Sequence, residues 1–406
     1  MVDYLKFLSH RISWIESSPL AKILGRVSAL SKAGFRVISL AAGDPDPSVI
    51  PRDELAEISH YVLKNIPAST LYTATTGIED LRVELSKFIE RLDGYKIYPE
   101  NLIVTSGSTT AIDLLARVLI DPGDVVIVEN PSYVVSLYAF KQLGAKLVGV
   151  DVKPDGLDTD ELEKKIKEIE SDGKKIKLIY TIPTGQNPSG ATMSIEKRKH
   201  LLEIASRHDL LVLEDTAYNY IVLEGSAPPT LKSLDKEDRV IVTGTLSKIM
   251  GTGFRVGWIA APDPIRRYVV AEKQPIDYCA PAISQYIAVE FLRRGLDKIS
   301  IERSRESYRT KRDIMIKSLE DKIPDARFSK PVAGMFLMID LPGIRGEEFA
   351  EELLERYKIA IVPGKPFYVD EKGVSSLRLN YSRPSKEDII EAVDKISILY
   401  KEKRSH

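Results

Sequence analysis

Cysteine is nearly absent from this 406-residue chain: Cys279 stands alone, so no disulfide can close within it. That suits a reducing compartment, and a cytoplasmic location is expected. Histidine occurs only five times, without the spacing of a metal site, so no metal is expected. Glutamine is confined to Gln142, Gln186, Gln274 and Gln285. Set against abundant Lys and Glu, this points to a thermophilic source. No apolar run approaches the roughly 20 residues needed to cross a bilayer, so no membrane association is expected. The start, Met1-Val2-Asp3-Tyr4-Leu5-Lys6, lacks the basic-then-apolar form of a secretion signal. The formal net charge of −1 gives no field that would gather nucleic acid. The basic runs Lys174-Lys175 and Lys401-Glu402-Lys403-Arg404 are short and read as solvated helix ends.

What is present is ordinary globular material, 43% hydrophobic and 29% charged, long enough for two or three folding units. The middle of the chain alternates short β-branched runs with amphipathic stretches. Strands are expected at 101–105, 124–129, 145–150, 176–181, 210–214, 239–243 and 256–260. Helices are expected at 109–120, 132–143, 157–169 and 194–208. Such alternation implies an α/β unit with a largely parallel sheet flanked by helices. Val125-Val126-Ile127-Val128 and Leu210-Leu211-Val212-Leu213 are apolar without alternation, as strands buried on both faces are. From Pro281 to about Leu319 the pattern turns helical and charged. Short strands follow at 335–341, 360–362 and 377–381, then a helix from 386 to 401, which reads as a smaller α+β domain. The organisation expected is a large domain over 46–284 and a small one over 285–406.

In open parallel sheets, ligands bind beyond the carboxyl ends of the strands. After the strand at 101–105 comes Ser106-Gly107-Ser108-Thr109-Thr110 opening a helix. Its free amides and dipole suit an anion, though Ser and Thr also cap helices without any ligand. Asp215 ends another strand with Tyr218 three residues on; it can pair with a cationic ring nitrogen or cap the next turn. Gly244-Thr245-Leu246-Ser247-Lys248, with Gly251, Gly253, Arg255 and Gly257, sets a lysine among hydroxyls in a glycine-punctuated turn. A desolvated lysine loses proton affinity and becomes a nucleophile, and the Arg255 fork suits a phosphate. Pro183-Thr184-Gly185-Gln186-Asn187-Pro188-Ser189-Gly190 is a turn-rich loop in which Asn187 can donate to a ring oxygen.

Taken together, Asn187-Pro188-x-Gly190, Asp215-x-x-Tyr218, Ser247-Lys248 and Arg255 resemble the class I/II aminotransferases of the fold-type I pyridoxal 5′-phosphate (PLP) enzymes. The likeness runs from about Ile38 to Lys401. It is nearest to the kynurenine/2-aminoadipate aminotransferases and their archaeal aromatic and branched-chain relatives. The resemblance implies a large domain with a mostly parallel seven-stranded sheet, and an N-terminal segment, 1–45, lying beside the small domain. It implies that Lys248 carries PLP as a Schiff base and moves the substrate Cα proton, with Asp215 keeping the pyridine nitrogen protonated. Asn187 and Tyr218 would donate to the ring oxygen, and Tyr133 would stack on the ring. Ser108, Thr109, Ser247 and Arg255 would hold the phosphate. Tyr72 matches a tyrosine that reaches the phosphate of the partner subunit, which implies a homodimer with shared sites. Arg378 matches the arginine that clamps the substrate carboxylate, and Gly43 lies on the substrate side. Bland alternatives stay open: Tyr133 as a helix-start aromatic, Tyr72 as a loop aromatic, Arg378 as the polar face of an edge strand.

The resemblance implies transfer of an amino group from an aromatic, branched-chain or 2-aminoadipate-like amino acid to 2-oxoglutarate by a ping-pong mechanism. Some relatives that use 2-aminoadipate have an arginine in the N-terminal segment; Ala21, followed by Lys22, stands at that position and argues against a dicarboxylic donor. A PLP-dependent β-elimination on the same scaffold is an alternative, because fold does not set the bond broken. A PLP-binding regulatory module is a third, disfavoured because barely forty residues precede the cofactor domain and no basic recognition helix is visible.

Overall fold

The computed structural model describes residues 2–16 and 19–404. The main sheet runs, from edge to edge, Leu102–Thr105, Gly257–Ala260, Val240–Thr245, Leu211–Asp215, Ile176–Thr181, Val125–Asn130, Lys146–Lys153 and Gly156–Leu157. Four successive pairs, from Val240–Thr245 across to Lys146–Lys153, are parallel, and Gly257–Ala260 is antiparallel to both of its neighbours. Seven strands were expected. The eighth is a two-residue piece that turns back antiparallel on Lys146–Lys153, with Gly156 at φ +101°. Leu157 belongs to that piece, so the charged helix expected from 157 begins instead at Thr159.

The apolar runs behave as their lack of alternation implies. Every residue of Val125–Asn130 is buried, and so are Leu210, Val212 and Leu213 of the second run, with Leu211 half-buried at the start of its strand, because helices cover both faces. The flanking helices are amphipathic and capped. Thr159–Ser171 buries Leu162, Ile166 and Ile169 at helical spacing, and the Asp158 side chain accepts from the Glu161 amide at its start. Ser194 caps Ile195–Arg207 in the same way, through the Lys197 amide.

The C-terminal part forms a second, antiparallel sheet in the order Arg327–Phe328, Phe336–Asp340, Ser376–Asn380, Val362–Pro363. The strand expected at 360–362 is two pieces serving two sheets. Ile359–Ala360 pairs in parallel with Ile38–Ser39, while Val362–Pro363 pairs with Ser376–Asn380. Helix Ala282–Arg293 packs on Arg52–Asn65 and Glu79–Asp93, and Leu296–Lys322 packs on Lys386–Arg404. The chain passes from one set of elements to the other at Gly295, which has φ +69°.

The N-terminal helix Pro19–Lys32 lays Leu20, Ile23, Val27 and Leu30 against Val134, Leu354, Ala360, Val362 and Phe367, bridging both parts of the molecule. Earlier residues lie against the main sheet's helices: Lys141 pairs with Glu16, and the Trp14 ring sits beside Gly144. Among the described residues, no helix is long and apolar enough to cross a membrane, and no group of His, Cys, Asp and Glu could hold a metal.

Candidate active site

Five segments leave the same end of the parallel strands, and their side chains meet in one cavity. It is lined by Ser108, Thr109, Tyr133, Asn187, Asp215, Tyr218, Ser247, Lys248 and Arg255, together with Ile182, Ala217, Thr245 and Thr252. Nine of the twelve residues singled out in the sequence are therefore brought together.

One end of the cavity is built for an anion. Gly107, at φ +90°, is the N-cap of helix Ser108–Leu119, and no side chain caps the helix. The serine and threonine of this turn are thus not spent as caps, and Ser108 and Thr109, at the positive end of the helix dipole, line the cavity. The Arg255 guanidinium lies over this turn, donating to the Ser106 carbonyl at 3.0 Å. A Cβ on Gly107 would come within 2.4 Å of an Arg255 nitrogen, and one on Gly257 within 2.5 Å of the Gly107 backbone. Only glycine permits this close approach. Arg255 itself has φ +55°, a conformation held by its bonds to Ser106 and to the Thr252 carbonyl at 3.2 Å. Ser247 is held by Thr245, whose hydroxyl accepts from the Ser247 amide at 3.1 Å and lies 2.8 Å from its Oγ.

At the other end lies Asp215, 3% exposed. Its Oδ1 accepts from the Ala217 amide at 3.1 Å, capping the turn, and the residue also lines the cavity. Oδ2 accepts from the Tyr180 hydroxyl at 3.0 Å. Burial pushes the Asp215 carboxyl up to about 6, against the pull of those two donors and of the Lys248 charge. Tyr180 was not anticipated. It sits in the apolar run Ile176–Thr181 and reads as core; only the neighbouring strand makes its hydroxyl a partner of Asp215.

Lys248 stands between the two ends. Its Nζ donates to the Gly43 carbonyl at 2.9 Å and lies 5.8 Å from the Tyr218 ring centre. Burial lowers its pKa to about 8; Asp44 and Asp215 push it back up, while Arg378 and Arg255 lower it further. Burial also raises the Tyr218 and Tyr133 phenols, against hydrogen bonds from Asn187 to Tyr218 and from Thr109 to Tyr133.

Arg378 is not an edge residue. It sits on the central strand Ser376–Asn380, 1% exposed, between the rings of Phe336 and Phe367, whose centres lie 4.3 and 5.1 Å from its guanidinium carbon. It donates to the Asn187 Oδ1 at 3.1 Å and to the Ala41 carbonyl at 2.6 Å, while its Nε has no partner. No carboxylate pairs with it among the described residues, and burial lowers its pKa to about 10. Gly43 follows on the same segment, and a Cβ there would come within 3.2 Å of Phe336.

Tyr72 lies outside its own chain's cavity. It is 86% exposed and packs edge-on against Tyr278, ring centres 5.5 Å apart. Buried Gln285 secures the neighbouring segment, accepting from the Ile78 amide at 2.8 Å and donating to Thr73 and the Ala280 carbonyl.

A cavity with an uncapped helix terminus and an arginine at one end, a buried carboxylate at the other and a depressed lysine between fits a phosphorylated pyridine aldehyde. The comparisons agree. The family described as "Aminotransferase class I and II" matches residues 36–396. The chain belongs to the class I and II aminotransferases. It is 56% identical to an archaeal alanine:glyoxylate aminotransferase of known structure, with a TM-score of 0.97 over 99% of this chain and 100% of that one. It is 38% identical to aromatic-amino-acid aminotransferase 1 of Thermococcus litoralis, covering 99% of this chain and 95% of the relative. The kynurenine aminotransferase of Pyrococcus horikoshii, solved with pyridoxamine phosphate, is 34% identical with a TM-score of 0.91 over 98% of each chain. This aminotransferase has the fold of the fold-type I PLP enzymes, and PLP is its cofactor.

Proposed function

We propose that this aminotransferase moves an amino group from an amino acid to a 2-oxo acid in two half-reactions, the donor leaving as its 2-oxo acid before the acceptor enters. The reading takes 2-oxoglutarate as acceptor and aromatic, branched-chain or 2-aminoadipate-like amino acids as donors. The relatives' names add alanine and glyoxylate as a pair to be tested beside them.

The observation that carries this reading is Arg378. A guanidinium 1% exposed, without a carboxylate partner and with Nε unbonded, is an expensive arrangement in a protein interior. The α-carboxylate of a substrate would supply the missing anion, held by the planar fork in a two-point grip that fixes Cα beside Lys248. PLP, when bound, supplies a ring that withdraws the electron pair left at Cα. The chain's residues do the rest. Lys248 takes the Cα proton on Nζ and returns it on the other side of the exchange. Asp215 holds a proton on the ring nitrogen. Asn187 and Tyr218 would bond to the ring oxygen, Tyr133 would cover the ring, and Ser108, Thr109, Ser247 and Arg255 would anchor the phosphate, all of them lining the one cavity. Gly43 leaves room on the substrate side.

We also propose a homodimer in which Tyr72 serves the partner's phosphate; its exposure and its anchored segment support this. The pairing is proposed to act in the cytoplasm of a thermophile, in keeping with the single cysteine and the Thermococcus relative.

Two measurements check the reading. Glutamate added without acceptor should convert the yellow holoenzyme to its amine form in one equivalent, and two-substrate kinetics should give parallel double-reciprocal lines. Release of ammonia and a 2-oxo acid without any acceptor would instead indicate elimination. Arg378→Lys keeps the charge and loses the fork. It should lower kcat/KM for the donor roughly 10²–10³-fold, the equivalent of about 3–4 kcal/mol, with cofactor content unchanged. An unchanged kcat/KM would remove Arg378 from substrate binding.

A further inference from the structure

The segments that carry Tyr133 and Asn187 leave adjacent parallel strands, Val125–Asn130 and Ile176–Thr181. Between them lies a buried polar pair that the reaction does not otherwise use. Glu129 and Gln186 are each 1% exposed. The Gln186 Nε2 donates to the Glu129 Oε2 at 2.9 Å and to the Pro131 carbonyl at 2.8 Å. Its Oε1 accepts from the Ser189 amide at 2.9 Å and from the Ser189 hydroxyl at 2.6 Å. Both amide hydrogens and both lone-pair sites of Gln186 are thereby used, all within two segments. Glu129 also accepts from the Thr181 hydroxyl at 2.6 Å and from the Ile182 amide, 3.2 Å from each oxygen.

Three features set this pair apart from ordinary core packing. The Ile182 and Gln186 N–H groups bonded to Glu129 can only donate, and the Thr181 hydroxyl is placed to do so, an arrangement that suits a carboxylate. No cation pairs with it among the described residues; burial, with Asp215 adding to it, pushes the carboxyl up to about 7 against its donors. A buried anion without a counter-ion is costly, and it has a polar task where it persists. That task is visible in what the two segments hold. Pro131 is two residues before Tyr133, and Gln186 immediately precedes Asn187, whose Oδ1 accepts from Arg378.

We propose that Glu129 and Gln186 form a clamp that positions the cofactor's surroundings, fixing the Tyr133 segment against the Asn187 segment. The two touch neither cofactor nor substrate; they are positioning residues, acting through Tyr133, Asn187 and, beyond Asn187, Arg378. The inference rests on the proposed placement of the ring between Tyr133 and Asn187.

Glu129→Gln turns an amide group toward donors and breaks the cross-link. The holoenzyme of this variant should show kcat lowered by about ten- to a hundredfold, the scale of a small misplacement at the reacting centre, with KM changed far less. Its cofactor should leave on dilution several times faster, and its visible absorbance should shift. In the double variant Glu129→Gln/Gln186→Glu the amide and carboxylate trade places. The bond between the two side chains returns with donor and acceptor exchanged, and Thr181, Ile182 and Ser189 keep acceptors, while the Pro131 carbonyl loses the donor that Gln186 gives it in the parent. Its kcat and cofactor release should therefore recover in part, standing clearly closer to the parent than those of the single variant, a coupling that independent sites do not show. Two results would overturn the clamp. One is a single variant that loses thermal stability yet keeps parental kcat, absorbance and cofactor release per folded molecule. The other is a double variant as impaired as the single. If Glu129→Gln does not fold, the double variant decides alone: recovery supports the clamp, and failure to fold or to turn over overturns it. Borohydride labelling of Lys248 in the parent enzyme keeps the outcomes apart. Without that label the ring's placement is wrong; with it, unresponsive clamp variants sink the clamp only.

Discussion

Lys248→Ala is expected to leave a folded protein that transfers amino groups at least about 10³-fold more slowly, because the proposed function makes one side chain both attachment point and proton carrier. The structure explains why this lysine is competent. Its pKa is lowered to about 8, with burial as the main cause. The sign follows directly: burial penalises the ammonium, so the neutral amine gains. At pH 7 roughly a tenth of such lysines are neutral, against fewer than one in a thousand for an ordinary lysine. Cofactor-free enzyme should therefore take up PLP faster as pH rises towards about 8 and level off above it. Borohydride reduction should fix the cofactor to the peptide containing Lys248 in the parent and to no peptide in the variant. A label on another lysine, or a variant with parental turnover, would end the assignment. The Gly43 carbonyl, now 2.9 Å from Nζ, would lose its donor in the variant, a surface-scale loss beside the chemical one.

Asp215→Asn should cost roughly 10²–10³-fold in kcat while donor KM and protein stability change little. The carboxylate is isosteric with the amide, which has one oxygen: the Ala217 amide can keep its acceptor, while the Tyr180 hydroxyl, then facing Nδ2, must turn to accept from it. What disappears is the negative charge, and with it the proposed means of keeping a proton on the ring nitrogen. The site invests in that charge: two donors hold the carboxyl near 6 against complete burial, so it is mostly ionised at neutral pH even before a cationic partner arrives. Pairing with a protonated ring nitrogen would lower it further. The slow step of the variant should be Cα–H cleavage, seen as a primary isotope effect with deuterated donor. Parental kcat in Asp215→Asn would mean that the ring nitrogen needs no charge from the chain.

Most of the site could be read in advance because its chemistry is local to strand ends. Ser247-Lys248, Asp215-x-x-Tyr218 and Asn187-Pro188-x-Gly190 each sit where a parallel strand stops, and a turn there exposes side chains and amides on one edge of the sheet. Gly107 is similar: glycine before a helix signals a close approach whatever makes it. Tyr180, Glu129 and Gln186 were invisible for the opposite reason. Tyr180 and Glu129 belong to apolar strands, and Gln186 to a turn-rich loop; nothing near them in sequence says which neighbour their polar atoms will find. Arg378 was legible as a motif yet ambiguous in environment, because alternation with Leu377 and Leu379 fits an exposed edge equally well.

By itself, the order of residues determined the parallel α/β core, the second smaller sheet and the placing of Lys248, Asp215 and Asn187 in turns at strand ends. Those features follow from periodicity and turn chemistry, which act over a few residues. Only the tertiary structure decided that Arg378 is buried without a counter-ion, that Ala41 and Gly43 lend carbonyls to Arg378 and Lys248, and that Glu129 meets Gln186. These contacts join residues 337, 205 and 57 positions apart, and burial depends on every element packed around a group. Neither property is encoded at any single point along the chain.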